Sequence, residues 1–296
     1  MAYTSMSVSE RQLLPPAVAV STVAFALHPP AHARLGESGV EAAYAAAAAV
    51  GFAGAASDAG AAAEVPAETS ARARDTLWLP LVRRTRAPFA GDWALPGGPI
   101  PFNETLADTA VRTLRAAVLR DPRYLEQLYS FGAVERSAQA QRLVTIAYWA
   151  LYGEQDLAGD ALTGAAEQNI DEQNIDEQGA AEQDDPNVAW FSADRLPPLA
   201  FDHAEIVAHA LDRLRSKTEY STVAYRFLGD TFTLAQLREV HEAVRGEAVD
   251  PANFRRQALA QGHLVDTGEQ TSGAKHRPAR LYQFREQTTQ QTRNLT

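Results

Sequence analysis

The turn Trp93-Ala94-Leu95-Pro96-Gly97-Gly98 is well suited to hold a small ligand. Gly97 and Gly98 carry no Cβ, so backbone there can approach a ligand closely. Arg83, Arg84 and Arg86 precede the turn, and guanidinium forks match phosphate oxygens. The plain alternative for Arg84 and Arg86 is surface charge. Trp93 offers a ring that can stack on a base or cap a pocket. Glu104 and Arg112 follow, with seven residues between them. On a helix that spacing is about two turns, so both sit on one face, where an ion pair bracing the turn is the expected use.

A second set of residues points to nucleic acid. Asn253, Arg255 and Arg256 fall near the start of a short helix that follows another helix and a turn. Helix-turn-helix proteins contact base edges from that position. Phe254 points the other way as a core anchor, and Ala258 and Leu259 are expected to be buried with it. Lys275, His276 and Arg277 lie in a hairpin loop, placed to reach a groove or phosphates. Arg280 and Tyr282 alternate with Leu281 and are expected on one exposed strand face. Lys217 and Tyr220, ahead of the first helix, are candidates for backbone phosphates. The alternative for each arginine alone is a solvated side chain; their clustering on one surface favours DNA.

The composition sets bounds. The chain has 296 residues, 46% hydrophobic and 22% charged, so it is globular and long enough for one large domain or two smaller ones. It has no Cys, which excludes disulfides, a zinc ribbon and a Cys nucleophile. The net charge of −10 argues at first sight against nucleic acid. That charge is unevenly placed. Residues 154–185 hold eleven carboxylates and no Lys or Arg, so the remainder of the chain is +1. Residues 252–285 carry six cationic side chains against Asp266 and Glu269, a balance of +4. A tandem repeat, Glu-Gln-Asn-Ile-Asp at 167–171 and 172–176, marks the acidic stretch as a solvated insertion.

The elements that must position these groups can be read from spacing. Ala17 to Leu27 reads as a buried strand; the signal-peptide alternative, ending at Ala31-His32-Ala33, is weakened by Pro15-Pro16 and a polar, base-poor start. No run is long and apolar enough for a membrane span, and a cytoplasmic protein is expected. Residues 31–74 are Ala- and Gly-rich and read as an insertion, with a short helix at 41–50. Thr76–Arg84 reads as a strand. Asn103 is the expected cap of a helix carrying Leu106, Ala110, Leu114 and Val118. Tyr124–Phe131 reads as a connecting segment, Leu143–Tyr152 as a long buried strand and Val188–Phe191 as another. Asp202 is the expected cap of a helix through Leu214. Phe232–Arg245 and Ala252–Gln261 read as helices, the second capped by Asp250 with Pro251 in its first turn. His263–Thr267 and Arg280–Arg285 then form a hairpin, and helix, turn, helix and hairpin make a winged helix-turn-helix.

The Gly98, Glu104 and Arg112 spacing, after a strand and a Trp-x-Leu-Pro-Gly-Gly turn, resembles the Nudix hydrolase signature. In that family the residue after the Arg, and a later Glu pair, are carboxylates that hold divalent cations. Here Thr113, Ala116 and Ala117 stand in those places. One hydroxyl and two methyl groups do not bind Mg²⁺, and Glu104 alone cannot hold a metal and polarise a phosphoryl group. The resemblance therefore implies a pocket that binds without hydrolysing, with no metal.

Both halves together resemble the Nudix-related transcriptional regulators of NAD metabolism (NrtR). The residues that carry this include Tyr124-Leu125-Glu126-Gln127-Leu128-Tyr129-Ser130-Phe131-Gly132, Asn253-Phe254-Arg255-Arg256 and Arg277-Pro278-Ala279-Arg280-Leu281-Tyr282. The resemblance implies an α/β fold: a Nudix-like α/β/α sandwich with a mixed sheet, then a winged helix-turn-helix. The expected organisation is a disordered start at 1–15, a ligand-sensing domain at 16–200 with insertions at 31–74 and 154–185, a DNA-binding domain at 201–286 and a tail at 287–296. It implies a homodimeric regulator, a repressor of NAD biosynthesis or salvage genes, that binds a double-stranded operator. ADP-ribose or another NAD-derived nucleotide would be its effector. Two other readings compete: an active Nudix pyrophosphohydrolase on ADP-ribose-type nucleotides, and a binding module with no DNA role.

Overall fold

A computed structural model describes residues 14–36, 76–134, 136, 142–158, 187–220, 222–271 and 278–285. The expected helix at 41–50, the repeat at 167–176 and the loop residues Lys275, His276 and Arg277 lie outside the described residues.

Two small sheets form the first half. Strands β1 (Ala17–Phe25), β4 (Gly97–Pro99), β5 (Tyr124–Phe131) and β6 (Leu143–Leu151) make one sheet in the order β4-β1-β6-β5. It is mixed, because β1 and β6 run parallel while the outer pairs are antiparallel. Strands β2 (Trp78–Arg83), β3 (Trp93–Ala94) and β7 (Val188–Ser192) make the other, antiparallel sheet. The two meet where Ala26 bridges Trp78.

Strands β1 and β6 are apolar almost throughout because both of their faces are covered. Ala24, Ala26, Ala150 and Tyr152 face helix α1 (Leu106–Val118), which buries Leu114 and Val118 against them. Val23, Phe25, Ala147, Trp149 and Leu151 face the other way, toward a long helix α3 (His203–Tyr220) that buries Ile206, Val207, Ala210 and Leu214. Helices on both faces of a mixed sheet give the expected α/β/α sandwich.

Several expectations are corrected. Tyr124–Phe131 is a strand and not a connector: it pairs with β6 through a bulge between Gln127 and Tyr129, which breaks the alternation that would have marked it. The cap of α1 is Thr105 and not Asn103. The Thr105 side chain accepts the Asp108 N–H while the Asp108 carboxylate takes the Thr105 N–H, a reciprocal capping box. The Ala-rich insertion starts later than residue 31, since Gly36 N–H donates to the Trp190 carbonyl and Trp190 N–H to that of Arg34, which continues the sheet beyond β7. The acidic stretch is also ordered at its start. Glu154–Ala158 is a one-turn helix α2 with Leu157 buried, Glu154 beside His28 and Asp156 beside Arg123.

The second half is a helix pair and a hairpin. Helix α4 (Leu234–Arg245) starts on a Thr233–Gln236 capping box and ends at Gly246, whose φ of 73° is the left-handed conformation that glycine tolerates. Helix α5 (Pro251–Ala260) starts on Asp250, whose carboxylate accepts the Asn253 N–H, with Pro251 in the first turn as expected. Strands β8 (Leu264–Gln270) and β9 (Arg280–Phe284) form the wing, and Phe232 and Tyr282 exchange backbone hydrogen bonds to tie it to the helices. The core residues of this half, including Leu237, Val240, Val244, Phe254 and Tyr282, belong to the same apolar cluster as the inner face of β1 and β6. Helix α3 packs against both β5 and α4, so it spans the two halves.

Candidate nucleotide pocket and nucleic-acid interface

The arginines before the glycine turn are spent largely on their own loop. Arg83 Nε donates to the Gly91 carbonyl at 3.0 Å and its guanidinium lies 6.0 Å from the Trp93 ring. Arg84 Nε donates to the Pro88 carbonyl at 3.0 Å, and its guanidinium lies 4.7 Å from the ring of Phe201. Burial holds Arg84 below the ordinary arginine value. Arg86 is exposed, and its carbonyl accepts a bond from Arg84. Trp93 is half-buried, edge-on to Phe191, with part of its surface open.

The glycines serve packing. A Cβ on Gly97 would lie 2.2 Å from the Val20 carbonyl oxygen of β1, so this position is glycine because two backbones touch. The close backbone approach that Gly97 permits is thus one made to β1. A Cβ on Gly98 would meet nothing within 4 Å.

Glu104 and Arg112 form the expected pair. Arg112 Nε donates to Glu104 Oε1 at 2.7 Å, and Thr109 Oγ1 donates to Oε2 at 2.8 Å. The Arg112 guanidinium holds the Glu104 carboxyl below the usual carboxylate range. Thr113 Oγ1 is turned back to the Ala110 carbonyl at 3.1 Å, and Ala117 packs beside the α1 cluster. Among the described residues no group of three or more His, Cys, Asp or Glu could hold a metal ion. No hydrogen bond or ion pair between described residues joins the Glu104–Arg112 pair to the Arg83–Trp93 pair.

Spacing did not announce how the turn is fastened to α3. Leu95 N–H donates to His203 Nδ1 at 2.9 Å, and Ala200 N–H donates to the Trp93 carbonyl at 2.8 Å. Burial pushes His203 down to about 4, so its ring is neutral and Nδ1 is an acceptor. Phe89 and Phe201 both have positive φ, 66° and 56°, and their rings meet edge to face at 4.7 Å. Bulky residues rarely adopt that conformation, and here two of them lean on each other at the start of one helix. Arg136, almost fully buried, donates to both Asp202 oxygens, to the Phe131 carbonyl and to Thr145. Asp202, expected as a helix cap, therefore spends its carboxylate on Arg136.

At its other end α3 is clamped to β5. Glu126 takes Lys217 Nζ and the Tyr124 hydroxyl, with Arg213 Nη1 at 3.3 Å. Burial works against the Glu126 charge, but the Lys217 and Tyr124 bonds hold its carboxyl below the usual range. Lys217, expected at a phosphate, is thus corrected: it belongs to the joint between the halves. Tyr220 is the last residue of α3, and its side chain lies outside the described part.

On the winged helix the expected DNA residues point outward. Phe254 and Ala258 bury one face of α5 while Arg255 and Arg256 are exposed. Arg256 Nη2 donates to Asn253 Oδ1 at 2.6 Å. Arg255 makes no hydrogen bond or ion pair with any described residue. Arg280 is exposed on the wing and pairs with Asp266 at 2.8 Å. Two expectations are corrected here. Tyr282 is buried, because the wing strand turns it onto Phe232, and Leu259 is 40% exposed instead of buried.

Comparisons with known proteins agree with this arrangement. The family model described as the NrtR DNA-binding winged helix domain matches residues 224–284. The "ADPR responsive transcriptional repressor NtrR" of Acinetobacter baylyi is 31% identical over 206 residues, 69% of this chain and 74% of that protein. The crystal structure of Shewanella oneidensis NrtR complexed with a 27mer DNA is similar at 26% identity and a TM-score of 0.59, covering 90% of this chain and 93% of that one. An ADP-ribose pyrophosphatase of Methanocaldococcus jannaschii is 24% identical over 43% of this chain and 62% of that protein.

Proposed function

This chain belongs to the NrtR family of Nudix-related winged-helix regulators, and from that premise we propose how its two halves divide the work. The chain is a DNA-binding transcriptional regulator of NAD-related metabolism. The observation that carries the reading is the exposed Arg255–Arg256 pair on the outer face of a helix whose inner face is a winged-helix core.

In the proposed mechanism the first half senses ADP-ribose or a related NAD-derived nucleotide. Trp93 has surface left to stack on a base, and the exposed Arg86 guanidinium makes no hydrogen bond or ion pair with a described residue; Arg83, Arg84, Gly98, Glu104 and Arg112 shape the pocket around them. The ligand can change DNA affinity only by binding one pose of the winged helix better than another. Helix α3 is the element able to carry that difference, since its first turn is fastened to the glycine turn and its last turn to β5, and its flank packs on α4. The working unit is a homodimer reading a pseudo-palindromic operator as a repressor, with half-sites about one helical turn or a multiple apart. Hydrolysis is lost, because Glu104 is bonded to Arg112 and Thr109, the other acid of the box, Asp108, caps α1, and Thr113, Ala116 and Ala117 supply no carboxylate.

The test is a gel-shift titration of a wild-type-selected duplex with and without ADP-ribose. Unchanged affinity at saturating nucleotide sinks the sensing reading. Phosphate release from ADP-ribose with Mg²⁺ or Mn²⁺ tests the loss of hydrolysis, and efficient turnover makes the chain an enzyme.

A further inference from the structure

Leu259 stands out by its place, on the outward side of α5 beside Arg255 and Arg256. Helix α5 is ten residues long and buries Phe254 and Ala258, which are one turn apart. At 100° per residue the direction opposite that pair passes through Arg256, with Ala252 and Leu259 on one side of it and Ala260 on the other. Ala252, Arg255, Arg256, Leu259 and Ala260 are all exposed, and Leu259 is 40% exposed. The outer face of the helix therefore carries cations and small or branched apolar groups together.

That mixture matches one surface. The arginines suit phosphates and guanine edges, and the major groove offers an apolar group at one base alone, the C5-methyl of thymine. The part of Leu259 that stays exposed in the free protein gains by covering a methyl there, while the flanking Arg255 and Arg256 supply the charge complementarity that holds the helix against DNA. We infer that Leu259 is a specificity residue, which packs on the thymine C5-methyl of one base pair in each operator half-site. It adds an apolar readout to the polar one expected of Asn253, Arg255 and Arg256. The inference rests on the DNA-binding reading of α5.

Replacing thymine by deoxyuridine removes that methyl and leaves the pairing edges unchanged. A duplex is first selected by the wild-type protein from a random-sequence library; failure to select any sequence refutes the DNA-binding reading itself. Each thymine of the selected duplex is then replaced in turn by deoxyuridine. Wild type should lose affinity about fourfold per half-site at one position, the value of one buried methyl. Leu259→Ala should bind the thymine and deoxyuridine duplexes equally at that position. Gln257→Ala, an exposed neighbour on the flank of the same helix, should keep the wild-type penalty. Equal thermal unfolding of both variants and wild type shows that the fold is intact, as expected for substitutions at exposed sites. Indifference of wild type to every deoxyuridine overturns the assignment. So does a wild-type penalty retained in Leu259→Ala. A change in oligomeric state in Leu259→Ala, with the methyl dependence intact, assigns the leucine to a second copy of the chain instead.

Discussion

Two arginine-bearing regions of this molecule look alike in sequence and differ in how they are used. Arg83 and Arg84 sit before a glycine turn; Arg255 and Arg256 sit after a turn that ends at the Asp250 cap and Pro251. In the first region the guanidiniums close onto loop carbonyls and aromatic rings of the protein itself. In the second, Arg255 has no protein partner among the described residues, and Arg256 holds a neighbour on its own helix. A guanidinium anchored through Nε keeps Nη donors for a phosphate but is fixed in place by its own loop, whereas Arg255 is anchored to no described residue and can swing toward a partner. The first region shapes and fastens; the second reaches out.

The contrast is tested most severely at Gly97. If the turn is a packing device, Gly97→Ala forces a side chain to within 2.2 Å of the Val20 carbonyl and costs about 3 kcal/mol or more in stability. Gly98→Ala, with nothing within 4 Å, should shift stability by no more than about 0.5 kcal/mol. Chemical denaturation of both variants reads the difference, and equal costs erase the distinction between the two glycines.

Next in size is an acid effect on the fastened turn. His203 at the turn, and His241 on α4 beside Phe254, are each pushed by burial from 6.5 to about 4. Between those values the unfolded chain binds protons that the folded chain refuses, so stability is full above pH 6.5 and falls as pH drops toward 4. Each histidine contributes a slope of up to about 1.4 kcal/mol per pH unit. His203→Asn offers an amide oxygen to the Leu95 N–H but cannot titrate in this range. It should remove one histidine's share of the slope in urea unfolding between pH 7 and 4.5, and an unchanged slope removes His203 from the joint.

The outward-facing region gives the largest effect on DNA. Arg255→Ala and Arg256→Ala should each weaken operator binding by about 1–3 kcal/mol, roughly 5- to 150-fold. Arg84→Ala should leave operator affinity near wild type in the absence of nucleotide, because its guanidinium is bound to Pro88 and Phe201. Fluorescence anisotropy on one duplex compares all three, and an Arg84 effect as large as that of Arg255 collapses the comparison.

How much was legible beforehand follows the same divide. The Glu104–Arg112 pair and the Asp250–Pro251 cap were readable because they are local, set by spacing along one helix or turn. The β1 and β6 strands were readable because burial on both faces leaves a continuous apolar run. The fastening of the turn was not, because it joins Leu95 to His203 and Phe89 to Phe201 across more than a hundred residues. Lys217 misled for the same reason: its partner Glu126 is distant in sequence and lies on a strand hidden by a bulge. Leu259 misled in the opposite sense, since an apolar residue at helical spacing reads as core, and only the orientation of α5 set by Phe254 shows that it faces out.

The smallest expected effect concerns the −10 charge that argued against DNA. Glu154 and Asp156 are held by His28 and Arg123 and belong to the fold, so the segment to remove begins at 159. Residues 159–186 carry nine carboxylates and no Lys or Arg. Negative charge carried by the same chain would compete with phosphate for the exposed Arg255, Arg256 and Arg280. Deleting 159–186 should therefore raise affinity for a random duplex by about three- to tenfold at low salt. The gain should shrink as salt rises, because screening weakens that competition and the phosphate contacts together. Operator specificity, set by base contacts from α5, should not change. A deletion that leaves random-duplex affinity unchanged at low salt shows that the acidic segment does not reach the winged helix, and leaves the reading face of α5 with the +4 of its own surroundings alone.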